Sequence, residues 1–410
     1  MRFLFLHSSF PAQFFYLARY LGTCGHQVVF LTKSDEGGEI SGIRRIVYKP
    51  ARDPSRHTHP YLLGLEKAVL EGQAAFQTAW ALKEQGFVPD VIIGHSGWGS
   101  TLYMKDLYPN VPFLGYFEWF YRAHGSDVGF GPNEKVGPDD ECRIRTKNGP
   151  ILLDLFGCDV GISPTYWQHS QFPVEYCQKI KVIHDGINTE ICKPQPNRKL
   201  MLPQQNLDLS HAQEIVTYVG RGMEPYRGFP QFMHAVSLLQ KRRPQCHVVI
   251  VGGDGVFYGT PPSQGDTWKN KMLNELSLDL NKIHFTGYLN RNDYLTVLQA
   301  STVHVYLTRP FVLSWSMLEA MACGCTLVAS ATPPVQEVVL DRVNGLLTDF
   351  FSPQQLAGRI EEALDDRQLR VALSHRARET VLDRYDLRKM LPLQISLLQD
   401  TIESCRRVKA

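Results

Sequence analysis

Apolar and polar positions along the chain fall into two successive rounds of strand and helix. Residues 2–6 form a largely apolar run, residues 12–21 follow with the three-to-four spacing of a helix, Gly25 closes that helix, and VVFLT at 28–32 is strand-like again. Strand, helix and strand in this order predict a parallel sheet covered on both faces. A long amphipathic helix is expected over 60–82. PDVIIGH (89–95), VPFLGYFE (111–118), GCDVGIS (157–163) and IKVIHDG (180–186) read as short strands whose C-terminal ends deliver polar residues. His7, His95, Glu118 and His184 fall at such ends, where open α/β sheets bind ligands, and are expected to converge on one cleft.

The second round runs through EIVTYVGR (214–221), CHVVIVGGDG (246–255), KIHFTGYL (282–289), VHVYL (303–307), TLVAS (326–330) and NGLLTD (344–349), with helical stretches between most of them. Residues 353–384 read as helix, and the segment from Leu387 onward as an amphipathic helix interrupted at Pro392. Residues 122–149, rich in Gly, Pro and charge, predict a long functional loop. Residues 193–213 lose apolar periodicity and read as an interdomain linker. The expected class is therefore α/β, with two doubly wound, Rossmann-like domains facing a deep cleft. The first spans 1–200 and the second 201–385, with a last helix over about 386–410 packing back on the first.

Composition narrows the function. A chain of 410 residues suits two cores better than one, and 43% hydrophobic with 20% charged residues fits a globular enzyme. The formal charge of +2 gives no electrostatic case for nucleic acid as the principal partner, and leaves peripheral membrane contact through a local basic patch open. No run reaches the roughly 18 apolar residues of a membrane span, and the apolar part of MRFLFLHSSF is too short for a signal peptide. Nine scattered cysteines without a C-x-x-C pair read as reduced thiols, so a cytoplasmic protein is expected.

Candidate chemistry concentrates in the second half. The first strand-to-helix connection, HSSFPAQF, has no glycine, which argues against a dinucleotide fingerprint there. In GRGMEPYRG, 220–228, Arg221 and Arg227 sit in a glycine-rich strand-to-helix loop, a spacing that suits a diphosphate clamp as well as two solvated arginines. Gly252, Gly253, Asp254 and Gly255 form a turn at a strand end. In 303–324 a strand and a loop lead into a helix expected to start near Ser316 and to stop at Gly324. Ser316 and Glu319 have capping-box spacing, and the local pattern favours that reading. The alternative is a helix N-terminus facing an anion, with Glu319 accepting hydrogen bonds from sugar hydroxyls. Phe10, Trp98, Phe117, Trp119, Phe120 and Tyr121 suit sugar stacking or plain packing, and Arg143, Arg145 and Lys147 suit solvent or a lipid phosphate.

Taken in order, strand-GR…RG, strand-VGGDG, strand-FTGYL, SMLEAMACG, and a proline-rich turn with Glu337 and NGLL resemble the nucleotide-sugar domain of the retaining glycosyltransferases of family 4, which have the two-domain GT-B fold. The first half resembles the family more loosely, through GHQVVFLT, PDVIIGH and KVIHDGINTE. The resemblance implies transfer of a hexose-like sugar from a nucleoside-diphosphate sugar to a glycan or lipid-linked acceptor. A non-catalytic nucleotide-sugar-binding scaffold is the alternative reading. The resemblance puts Arg221 and Arg227 on the diphosphate, Glu319 on the ribose, and Tyr288 and Leu289 beside the base. Leu313, Ser314, Trp315 and Ser316 fall around the diphosphate, and Gly253 and Asp254 line the same site. Glu118 is a candidate to orient a hydroxyl, with His95, Trp98 and Trp119 on the acceptor side. With no metal-binding D-x-D, basic side chains are expected to neutralise the phosphates, and no cofactor or metal is expected. Three positions depart from the family: Phe311 stands for its first glutamate, Phe10-Pro11-Ala12-Gln13 for a glycine-rich loop, and Glu118 for a frequent histidine.

Overall fold

The computed structural model describes residues 1–263 and 265–407, which divide into two compact units. One is Met1–Gly186 with the chain from Arg388 onward; the other is Ile187–Leu387. In the first unit, β1 (Arg2–His7), β2 (Gln27–Thr32), β3 (Ile43–Val47), β4 (Val91–His95), β5 (Phe113–Tyr116), β6 (Val160–Ser163) and β7 (Ile180–Val182) form a wholly parallel sheet in the order β3-β2-β1-β4-β5-β6-β7.

Period-two alternation builds its two faces. Phe3 and Phe5 of β1 point to one side, where they meet Phe14 and Leu17 at the first helix and Leu398 and Ile402 of the last. Leu4 and Leu6 point to the other, against Ala75, Ala79 and Leu82 of helix Leu63–Glu84. Both faces are covered, so the strands are nearly all apolar. The last helix, Leu387–Arg407, runs through Pro392 rather than stopping there. Residues 122–149, expected as loop, include a helix at Pro138–Lys147, which Pro at its first turn and three early acidic residues favour.

In the second unit, a short antiparallel hairpin, β8 (Met201–Leu202) with β9 (Leu207–Asp208), precedes a six-stranded sheet. Its strands are β10 (Ile215–Gly222), β11 (His247–Gly253), β12 (Ile283–Gly287), β13 (Val303–Tyr306), β14 (Thr326–Ser330) and β15 (Leu346–Thr348), parallel in the order β12-β11-β10-β13-β14-β15. Residues 193–213, expected as a linker, are structured: Leu200, Leu202 and Leu209 are buried against Val249, Val251 and Val297. Three leucines too widely spaced to show a period were enough to anchor it. Among the described residues no helix is long and apolar enough to cross a membrane.

Candidate functional site

Each sheet reverses its strand order at one place, between β1 and β4 and between β10 and β13. Ligands of doubly wound sheets bind outside the C-terminal strand ends at that reversal, because neighbouring connections leave in opposite directions and open a crevice. In the second unit this place holds a cavity of about 300 Å³ lined by Arg221, Gly252, Tyr258, Tyr288, Ser314 and Ser316, among others.

Arg227 lies on the same cavity. It ends the turn Pro225–Arg227, and Gly228 then takes φ +65 where any side chain would strike Leu307. The Arg227 side chain is thereby drawn inward, 8% exposed, and its Nη1 donates to the Tyr306 phenol oxygen (3.1 Å), Thr308 Oγ1 (2.7 Å) and the Val312 carbonyl (3.0 Å). Neutral oxygens hold the cation, and among the described residues no carboxylate reaches ion-pair distance of it. Arg221 is exposed and stacks over Phe257, its Cζ 4.3 Å from the ring centre. One buried and one accessible guanidinium on a small cavity suit a ligand with more than one negative charge.

Helix Trp315–Ala322 starts one residue earlier than expected, and its cap is Ser314, whose Oγ accepts from the Ser316 amide (3.3 Å) and pairs with Ser316 Oγ (2.9 Å). The Ser314 amide donates to the Tyr306 phenol (2.9 Å), which fixes the helix start beside Arg227. Glu319 therefore does not cap this helix. Its Oε1 pairs with Arg291 Nη2 (2.7 Å) and its Oε2 accepts from the Tyr294 hydroxyl (2.7 Å). Burial opposes the charge of Arg291, yet the bond to Glu319 holds its pKa above the ordinary value. Burial and the Glu319 charge likewise keep the Tyr294 phenol protonated far above its usual range.

The GGDG turn divides its roles differently from the expectation. Gly252, not Gly253 or Asp254, lines the cavity. At φ +134 a Cβ there would overlap the Gly220 carbonyl. Gly253 instead makes room for Tyr288, whose hydroxyl would lie 2.6 Å from a Cβ and donates to the Arg221 carbonyl (3.0 Å). Asp254 pairs with Lys269 (3.2 Å). Leu289 lines the cavity, Leu313 is buried in the core, and Trp315 lies outside the lining, 40% exposed. Phe311 is buried against Tyr226 and Tyr258, with ring centres 5.5 and 5.2 Å away, and the Arg227 Cζ is 5.4 Å from the Tyr258 ring and 6.0 Å from that of Phe311. Aromatic faces stand around Arg227 where a carboxylate would neutralise it.

In the first unit His7, His95 and Glu118 do meet. The rings of His7 and His95 are 4.8 Å apart, His95 Nε2 lies 3.5 Å from Glu118 Oε2, and Gln13 Nε2 donates to Glu118 Oε1 (3.0 Å). His95 Nδ1 donates to the Ser96 carbonyl (2.8 Å), and its Nε2 is buried facing that Glu118 oxygen without a hydrogen bond. Burial and the neighbouring His95 hold His7 well below the usual histidine pKa. For His184, Nδ1 accepts from the Gly186 amide and the carbonyl from Gln394. Trp98 is exposed near His95, whereas Trp119 is buried against Trp167 and Phe117 lies in the core, so most of the YFEWFY run is packing.

Sequence reasoning missed Arg291, Tyr294, Tyr306, Thr308, Tyr258 and Gln13 as site residues. No local motif marks them, since each acts on a residue remote in the chain.

Residues 24–192 match the family described as glycosyl transferase family 4 group, and residues 204–380 match glycosyl transferases group 1. The chain is 26% identical over 200 residues to a D-inositol 3-phosphate glycosyltransferase of Corynebacterium aurimucosum, a match covering 48% of this chain and 46% of that protein. It is also 26% identical over 173 residues to an alpha-D-kanosaminyltransferase of Streptomyces kanamyceticus, covering 42% of each. The matched stretch thus spans about half the length of these curated relatives. Among solved structures, the sucrose-phosphate synthase of Thermosynechococcus elongatus superimposes with a TM-score of 0.71 at 20% identity, covering 98% of this chain and 99% of that one. Anabaena HepE, solved in complex with UDP-glucose, also gives 0.71, at 19% identity over 98% and 100%. At such identities the likeness is one of fold. Both halves are matched by their own profile, each sheet has its reversal, and the chain belongs to the group 1 glycosyltransferases of family 4, with the GT-B fold.

Proposed function

We propose that the chain is a retaining glycosyltransferase that moves a hexose-like unit from a nucleoside-diphosphate sugar to a glycan or lipid-linked acceptor. Arg227 carries this reading: a buried guanidinium held by neutral oxygens on a cavity at the strand reversal, with Arg221 beside it. The complex of HepE with UDP-glucose supports a uridine nucleotide as the donor. In the transfer the bond from the anomeric carbon to the diphosphate breaks, and the acceptor oxygen bonds to the same carbon on the same face. The acceptor proton leaves with the diphosphate. Arg221, Arg227 and the amides at the start of helix Trp315–Ala322 stabilise the charge that grows on the leaving group, which is where preorganised donors act most strongly.

Tyr288 and Leu289 receive the base, and Glu319 exchanges its bonds to Arg291 and Tyr294 for ribose hydroxyls. Glu118, beside His95, orients a hydroxyl, and Trp98 offers a ring to a sugar face. Exposed Arg143 and Arg145, with Phe156 at 81% exposure on the following helix, support a lipid-linked acceptor at a membrane surface. Two guanidiniums supply the counter-charge, so activity is expected to survive EDTA. The test is a UDP-release assay with glycan and lipid-linked acceptors on the parent, Arg227→Ala and Glu319→Ala. Release by the parent that both variants lose supports the proposal; wild-type turnover in the folded variants refutes the site.

A further inference from the structure

Glu224 has no part in the chemistry above, yet it is 0% exposed. Its Oε2 accepts three successive backbone amides, from Phe257 (3.2 Å), Tyr258 (2.9 Å) and Gly259 (3.0 Å). Its Oε1 is buried without a hydrogen bond. A carboxylate oxygen cupped by consecutive N–H groups is an anion nest, here filled by the protein's own side chain. The segment it holds leaves the end of β11 and carries the two aromatic rings that touch the arginines: Phe257 under Arg221 and Tyr258 beside Arg227.

The segment is tied at its other points too. Asp254 pairs with Lys269, and Trp268 Nε1 donates to the Thr260 carbonyl (2.9 Å). Its approach to β10 is close enough that a Cβ on Gly222 would clash with the Gly255 carbonyl and the Phe257 ring. Glu224 is the only one of these ties that is buried, and it lies three residues before Arg227 in the chain.

We propose that Glu224 is the positioning residue of the cavity, resting on the reading of that cavity as a nucleoside-diphosphate site: by pinning the 257–259 amides it sets both aromatic rings, and through them both guanidiniums, before the diphosphate arrives. It touches no phosphate itself, since a carboxylate there would repel one. Without it the loop is ordered by the ligand, and that ordering is deducted from affinity.

The probe is UDP, titrated calorimetrically into the full chain. Glu224→Ala is expected to weaken UDP about tenfold, and Glu224→Gln, which keeps one acceptor oxygen, to fall between it and the parent. In a Phe257→Ala/Tyr258→Ala background, where the rings are gone, Glu224→Ala is expected to change affinity by less than about twofold, because coupled residues are not additive. Equal losses in both backgrounds overturn the proposal, as does parent-like UDP affinity in folded Glu224→Ala. Should Glu224→Ala fail to fold, the near-isosteric Glu224→Gln carries the same comparison. A parent that binds no nucleoside diphosphate overturns the function and this role together.

Discussion

Replacing Arg227 by Met removes a charge from the cavity and leaves a side chain of similar length. The guanidinium is 8% exposed and lines the cavity, with its Nη1 held by Tyr306, Thr308 and Val312 and a further bond to Tyr258. A unit charge 4 Å from a phosphate oxygen is worth about 4 kcal/mol at an effective dielectric of 20. Exchange with water brings a charged hydrogen bond down to about 1.5–3 kcal/mol net, so UDP affinity should fall roughly 10- to 150-fold. Stability should suffer less. Three acceptors lose their donor at about 1 kcal/mol each, against relief from burying an ion, for a net loss on the order of 1–2 kcal/mol. The variant should therefore remain folded. Arg227→Lys, which keeps the charge and loses the fork, should fall between, and Arg221→Met, acting from an exposed position, should lose less than Arg227→Met. Calorimetric titration with UDP, paired with a melting curve, separates the two effects. A folded Arg227→Met protein that binds UDP within threefold of the parent refutes the reasoning.

The two glycines of the GGDG turn should respond in opposite ways. Gly252→Ala forces a Cβ into the Gly220 carbonyl at a positive φ and should destabilise by more than about 3 kcal/mol in urea unfolding, whereas Gly253→Ala meets only the far end of the Tyr288 side chain and should cost less, about 1 kcal/mol, while weakening UDP a few-fold. Glu319→Ala strips both the Arg291 and Tyr294 partners; a drop of about 1–2 kcal/mol in chemical denaturation, larger than that of Glu319→Gln, is expected. Burial pushes His184 down to about 4 and His304 lower still. Their unfolded forms protonate below about 6.5 while the folded forms do not, so the protein should keep full stability above that pH and lose it as pH falls toward 4. The loss is about 2 kcal/mol per group at pH 5. Asp154, raised to about 6 by burial, works in the opposite sense, gaining as pH falls from 6 to 4, and offsets part of that loss, to which His7 and His247, also held low by burial, add. Urea midpoints at pH 7.5 and 5 that coincide would contradict this balance.

Much of the fold is legible in the sequence because strand periodicity and the polar residues at strand ends are local signals. All six strands expected in the second round appear within a few residues of their expected bounds, from Ile215–Gly222 to Leu346–Thr348. The helix at Pro138–Lys147 was hidden by its composition, and Pro392 read as a break because its neighbours' packing was invisible. The ordered motifs that resemble family 4, rather than local spacing, marked Arg221, Arg227 and Glu319 as candidates, without showing what holds them.

Sequence alone determined the alternation of strands and helices, the two rounds, and the ends at which charged residues emerge, since each depends on neighbours a few positions apart. Tertiary structure decided which charges are spoken for. Glu319 was drawn to Arg291 and Tyr294 from another helix, Asp254 to Lys269, and Arg227 to oxygens of β13 and the loop after it, beside the ring of Phe311 where the family has a carboxylate. A side chain's charge is written in the sequence, but whether it is neutralised depends on distances of about 3 Å between residues far apart in the chain, and only packing sets those.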